Sequence, residues 1–192
     1  MLDKALLFIT NLLNRDLKMS FGLADDIVVL GSLINLDGSV TQNIENKVVL
    51  SVINLEHEKT VKHMGGYIVD DQGKYGKVNP PVYLNIYMLV SANYNSENYV
   101  EALKMLTHVI GLFQASMIFT PETHPDLDPS IQRLTFEIYN VPIQELSHLW
   151  SGIGAKYVPS ILYKIRMISI QKGHIKEEIS GISGLGTSAQ KR

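Results

Sequence analysis

The sequence contains no cysteine. A disulfide framework and thiolate chemistry are therefore both excluded. No segment reaches the ~18 uninterrupted apolar residues of a membrane-spanning helix. The first residues also lack the form of a signal peptide: Asp3 stands beside Lys4, and neither a long apolar run nor a small-residue cleavage site follows. No charge of one sign dominates. Seventeen Lys and Arg against nineteen Asp and Glu leave a formal net charge of −2, which does not suggest a nucleic-acid binder. The nine tyrosines and single tryptophan are not interleaved with a basic run, so a base-stacking platform is unsupported.

Catalytic motifs are missing too. There is no nucleophile elbow, phosphate-binding loop, His-Glu-x-x-His helix or Cys/His cluster. Gly184 to Ala189 matches a dinucleotide fingerprint only formally, because no βαβ unit surrounds it. His57 and His63 stand six apart across a presumed break and read as surface residues. The acidic pair Asp25-Asp26 reads as a solvated turn, since no further oxygen ligands converge on it in sequence. His124, Asp126 and Asp128 look superficially like a ligand set. Three prolines in the same loop, however, are expected to hold the backbone extended, with no framework to aim the side chains. No catalytic, cofactor or metal site is expected, and the chain does not read as an enzyme.

What is present is a patterned globular sequence. With 192 residues, 45% apolar and 19% charged, it fits one domain with one core and a tail. Residues 79–119 form its longest organised stretch. Pro80-Pro81 opens a strand over 82–94, with Val82, Leu84, Ile86, Met88 and Val90 facing the main core. Tyr83, Asn85, Tyr87, Leu89 and Ser91 form the other face, set against another layer, a neighbouring subunit or water. A turn at 93–98 leads to a helix capped by Ser96 and running to about Phe119. Tyr99, Leu103, Leu106, Ile110, Phe113 and Met117 step along it by four and three, and Val100, Ala102, Val109 and Leu112 widen the stripe. Only Glu97, Glu101, Lys104 and His108 remain as a polar line, so the helix is either central or covered on two sides.

The other elements pack around this pair. An amphipathic helix spans 1–19, with Asn11, Asn14, Arg15 and Lys18 on its polar side. A short strand lies at 27–31, a turn at Asp37-Gly38, and a Val/Ile-rich strand at 47–55. Residues 56–79 read as a strand extension, a Gly65-Gly66 break and a hairpin or mobile loop turning at 70–73. Alternating strands follow at 133–141 and 161–170, separated by a helix at 143–151 with Pro142 at its first position. Beyond 171 the glycines, serines and terminal Lys191-Arg192 read as a flexible tail. The expected division is a domain over 1–171 and a tail over 172–192.

Three stretches carry a family resemblance. They are FGLADDIVVLGSLINLDGSVTQNIENKVVLSVINLEHEKTVK, NPPVYLNIYMLVSANYNSENYVEALKMLTHVIGLFQ and FTPETHPDLDPSIQRLTFEIYNVPIQELSHLWSGIGAKYVPSILYKIRMI. Together they resemble the tube-cap or tail-terminator family of phage-tail-like contractile injection systems, over roughly residues 1–171. The resemblance implies an α/β (α+β) fold, with a mixed, mainly antiparallel sheet flanked by helices as in phage tail terminators. It implies a ring, by analogy a hexamer, at the baseplate-distal end of inner tube and sheath. Such a ring would end polymerisation, fix length and hold the last sheath layer. It would be made in the cytoplasm and carried in a particle that can be released. No catalytic residues and no cofactor come with the family. Longer relatives carry a further C-terminal part, and functions housed there are not carried over. The candidate ring contacts are Tyr94, Tyr99, Trp150 and Tyr157. A monomeric adaptor that recruits another component to the particle is the alternative, and oligomeric state separates the two.

Overall fold

The computed structural model describes residues 1–58 and 81–166 in full, and the backbone of 67–69, 75–78, 167–170 and 175–179. The chain opens with α1 (Leu2–Phe21), which buries Ala5, Leu6, Phe8, Ile9, Leu12, Leu13 and Leu17 along one face. Gly22 ends it in the left-handed region at φ 64°, where glycine has no Cβ penalty. Strand β1 (Val28–Leu30) runs parallel to β2 (Lys47–His57), Val28 opposite Val48. Between them the Asp37-Gly38 turn forms as expected: Gly38 has φ 82°, and Asp37 Oδ1 accepts from the Ser39 N–H at 2.9 Å.

Strands β3 (Tyr67–Val69) and β4 (Tyr75–Val78) form an antiparallel hairpin. Its turn at 70–73 and the Gly65-Gly66 break lie outside the described residues. Strand β5 (Val82–Asn93) follows, then a single 3₁₀ turn (Ser96–Asn98), α2 (Tyr99–Ala115), β6 (Ile118–Phe119), β7 (Leu134–Ile138), α3 (Ile143–Ile153), β8 (Ser160–Ile170) and β9 (Ile175–Ile179). The main sheet has six strands in the order β1-β2-β5-β8-β7-β6. Only β1–β2 is parallel. The fold is thus the mixed, mainly antiparallel sheet with helices that the sequence implies. A second, three-stranded sheet has the order β3-β4-β9. Residues 175–179 are therefore a strand within the stretch expected to be tail, and 180–192 lie outside the described residues.

β5 is the central strand, paired with β2 on one side and β8 on the other. Alternation sends its two sets of side chains to opposite faces. Ile86, Met88, Val90 and Ala92 enter the larger core with α1 and α2. Phe113 lies at its aromatic centre, stacked on Phe136 with ring centroids 4.2 Å apart and edge-on to Phe119 and Tyr163. On the other face, Leu89 joins Leu33, Ile44, Val49, Trp150 and Leu162 in a smaller core beneath α3. Of the three settings open to the second face of β5, another layer is the one found at Leu89. At the far end Val82 is exposed, because the larger core stops short of it.

Four local details differ from expectation. No side-chain cap bond forms at the start of α2, so Ser96 is not its cap, and the helix begins at Tyr99. It stops at Ala115 because Ser116 is extended, which carries Met117 off the helical stripe and Phe119 into the sheet edge. Pro142 sits one residue before α3 in an extended conformation (ψ 141°), not at its first position. The loop at 120–130 is not extended. Thr120 C=O accepts from the N–H groups of Thr123 and His124, at 3.1 and 2.8 Å, and the loop tucks Leu127 and neighbouring Ile131 into the core.

Candidate assembly surface

Helix α2 has two apolar sides, and the fold uses one. Ala102, Met105, Leu106, Val109 and Phe113 are buried at the three-four spacing of a single helical face. Tyr99, Val100 and Leu103 point outward and are 50%, 63% and 43% exposed. Val100 and Leu103, with Phe21, Lys104, Thr107 and His108, border a shallow depression of about 400 Å³. His108 Nε2 bonds Asp16 Oδ2, and the Phe21 ring meets the imidazole edge-on at 5.3 Å. These contacts fix the end of α1 against α2 and set the depression's shape.

The four aromatic candidates occupy different environments. Tyr99 and Tyr157 are exposed, the latter at 61%. Tyr94 is half-buried against the main core, and that burial, with nearby Glu101, pushes its hydroxyl pKa up. Trp150 is a core residue, 5% exposed, whose indole N–H has no acceptor among the described residues. Tyr157 packs edge-on against it at 5.5 Å. Tyr94 directly follows β5 and Tyr157 directly precedes the approach to β8, at the end of the sheet where β5 finishes and β8 begins, while Tyr99 opens α2.

An asparagine lattice stiffens that end. Asn46, itself at φ 52°, accepts through Oδ1 from the Asn95 backbone N–H and from Asn98 Nδ2, both at 3.3 Å. Asn95 Nδ2 donates to Glu45 Oε1 at 2.6 Å, and Asn93 Nδ2 to the Ile44 carbonyl at 2.9 Å. The only sequence signal for this lattice is the density of asparagine on both sides of β2 and β5, which spacing alone does not pair.

The opposite end of the sheet carries charge. Glu56 accepts from the Tyr87 hydroxyl at 2.7 Å and from Lys164 Nζ at 3.0 Å. The Tyr87 bond first and Lys164 second hold the Glu56 carboxyl below its ordinary pKa. Arg166 reaches Glu137 at 3.4 Å. Three of the other acidic candidates are paired as well. Asp26 meets Lys18 at 2.7 Å, Asp126 meets Arg15 at 3.2 Å, and Asp128 meets Lys4 at 2.7 Å. His124 Nδ1 shares a hydrogen bond with the Thr123 hydroxyl, and its ring lies against Phe8 and Phe119. These groups neutralise one another in place; they position elements of the fold and do not converge on a reacting atom.

The surface thus consists of apolar strips and sheet edges on a rigid frame. The sequence profile of the Pvc16 N-terminal domain matches residues 7–183. The chain belongs to the Pvc16 N-terminal domain family. No curated protein matches it in sequence. Among solved structures, it is similar to the sheath/tube terminator, in its extended state, of the extracellular contractile injection system PVC. The TM-score is 0.61 at 13% identity, over 96% of this chain and 63% of that one. It is also similar to the tube-terminating cap of the anti-feeding prophage, with a TM-score of 0.60 at 12% identity, over 94% of this chain and 60% of that one. The chain therefore spans under two thirds of the length of either. At these identities the likeness is one of fold. No helix among the described residues is long and apolar enough to cross a membrane.

Proposed function

We propose that this chain is a cap subunit at the baseplate-distal end of a contractile injection particle. It forms a ring, a hexamer by the symmetry of tube and sheath, seated on the last tube layer. It ends tube and sheath polymerisation, fixes particle length and anchors the final sheath layer. It is made in the cytoplasm and leaves the cell with the particle. The observation that carries this reading is the fold, shared over 94–96% of the chain with two terminators from such particles. The paired charges support a structural role, since Asp26, Glu56, Asp126 and Asp128 are engaged in ion pairs between elements. Tyr99, Val100 and Leu103 supply an apolar strip on one side of the subunit, as a head-to-tail ring requires. Gold-labelling the chain in purified particles tests the placement. Label at the end opposite the baseplate is expected; label along the sheath or at the baseplate overturns it.

A further inference from the structure

Most cations of the described residues are neutralised in place. Lys4, Arg15, Lys18, Lys104, Lys164 and Arg166 each meet a carboxylate, at distances from 2.7 to 3.4 Å. Lys47, Arg133 and Lys156 have no such partner among the described residues. Two of these three fall at one place. Lys47 lies directly opposite Asn93 in the β2–β5 ladder, so the two side chains share a face of the sheet. It is the face that carries α3, since Val49, two residues on, enters the core beneath that helix. Asn93 and Lys156 both line a groove of about 480 Å³. Leu33, Ile34 and Val40, from the connection between β1 and β2, line it together with Ala155, Tyr157 and Val158, from the connection between α3 and β8.

Among the described residues no acidic side chain lines this groove. Glu45, the acid closest to Lys47 in sequence, is engaged by Asn95 Nδ2 at 2.6 Å. Glu97 and Glu101 lie at the start of α2, which packs on the opposite face of the sheet. The groove at the other end of the sheet, about 570 Å³, is balanced instead: Glu56 and Glu58 stand in it beside Lys164 and Arg166. The N–H groups of Ala155, Lys156, Tyr157 and Val158 add four donors that meet no acceptor among the described residues. The frame around them is stiff. The Asn35 N–H donates to the Ser39 carbonyl at 2.8 Å and closes the turn before Val40, and Tyr157 packs on Trp150.

We propose that this groove receives an acidic, apolar segment of the last tube layer. This rests on the cap reading above and names the chemistry of the contact that seats the cap. An apolar side chain of the tube enters between Val40 and Tyr157, and its carboxylates meet Lys156 and Lys47. Charge complementarity selects the occupant: the groove offers cations and N–H donors without a single acid of its own. Val40 and Tyr157 are 66% and 61% exposed, so the groove covers only one side of what it holds. Sites for small molecules enclose most of their ligand. A segment anchored in a larger partner suits this one better.

Co-sedimentation of the purified chain with inner tubes, and with whole particles assembled without it, tests this. The parent chain is expected to bind both, less tightly as salt rises. Lys156→Glu and Val40→Asp are each expected to weaken binding about tenfold or more, with circular dichroism and melting temperature unchanged. Arg133→Glu makes the same charge change at an unpaired cation outside the groove, and is expected to bind as the parent does. Binding that Lys156→Glu and Val40→Asp leave intact, that Arg133→Glu weakens equally, or that needs the sheath overturns the groove assignment and leaves the cap reading standing. Self-association of the free chain that Lys156→Glu abolishes, by light scattering, makes a second copy the occupant and overturns the assignment too. A parent chain that binds neither tube nor particle overturns both.

Discussion

The side chain of Asn14 and the backbone of Val28 form a two-way pair: Asn14 Oδ1 accepts from the Val28 N–H, and Asn14 Nδ2 donates to the Val28 carbonyl, both at 2.8 Å. Oδ1 also accepts from the Ile27 N–H at 3.0 Å. A helix residue thus occupies the place of a neighbouring strand and closes the outer edge of β1. Asn14→Ala strips partners from buried backbone groups and is expected to cost about 1–3 kcal/mol, read as a lowered urea midpoint with unchanged slope. An unchanged midpoint would show that water replaces the amide.

Two glycines near the end of α3 predict opposite effects. Gly154 ends the helix at φ 76°, with open space where a Cβ would sit, so strain there comes from the backbone alone. Gly154→Ala should lose about 1–2 kcal/mol. Gly152 lies inside the helix, also with open space, and Gly152→Ala should gain about 0.5–1 kcal/mol. Thermal unfolding of the two variants should bracket the parent.

Acid sensitivity should depend on Lys4. Its ammonium first, and the Ser130 bonds second, hold the Asp128 carboxyl well below the ordinary 3.8. A depressed carboxylate contributes stability fully above the unfolded value, and that contribution fades as pH falls below it. Lys4→Met should flatten the loss of stability below about pH 4 and move the Asp128 titration up toward 3.8 by NMR.

Tyr99→Asp places a charge on the outward strip of α2, where the side chain is half exposed. Surface changes of this kind ordinarily alter stability by less than about 0.5 kcal/mol. The melting temperature should hold while light scattering reports loss of the ring. A ring of unchanged mass would remove this strip from the subunit interface.

Much of the fold was legible because β5 and α2 are long and strongly periodic, and because β2, β7, α3 and β8 carry clear patterns between turn residues. The misplacements have local causes. Asn14 reads as polar and solvated, yet it is 7% exposed, since its partner is a strand edge fourteen residues away. Met117 continues the helical spacing of α2, but Ser116 turns extended and sends the chain to the sheet edge. The proline-spaced loop hid its compactness in Thr120 and Thr123, whose bonds fold it over Leu127. β9 reads Ile-Lys-Glu-Glu-Ile, with no alternation to announce a strand. Of the four candidate contacts, Tyr99 and Tyr157 lie at the surface. Trp150 is in the core, because a lone tryptophan on a helix face carries the same sequence signal whether it meets its own sheet or a neighbour.

The most direct measurement of a capping role is the length distribution of particles, by electron microscopy, from cells with and without this chain. Its presence should give one narrow length with closed ends opposite the baseplate. Its absence should give tubes of scattered length with frayed sheath. Particles of normal length with intact ends in its absence would contradict the terminator reading.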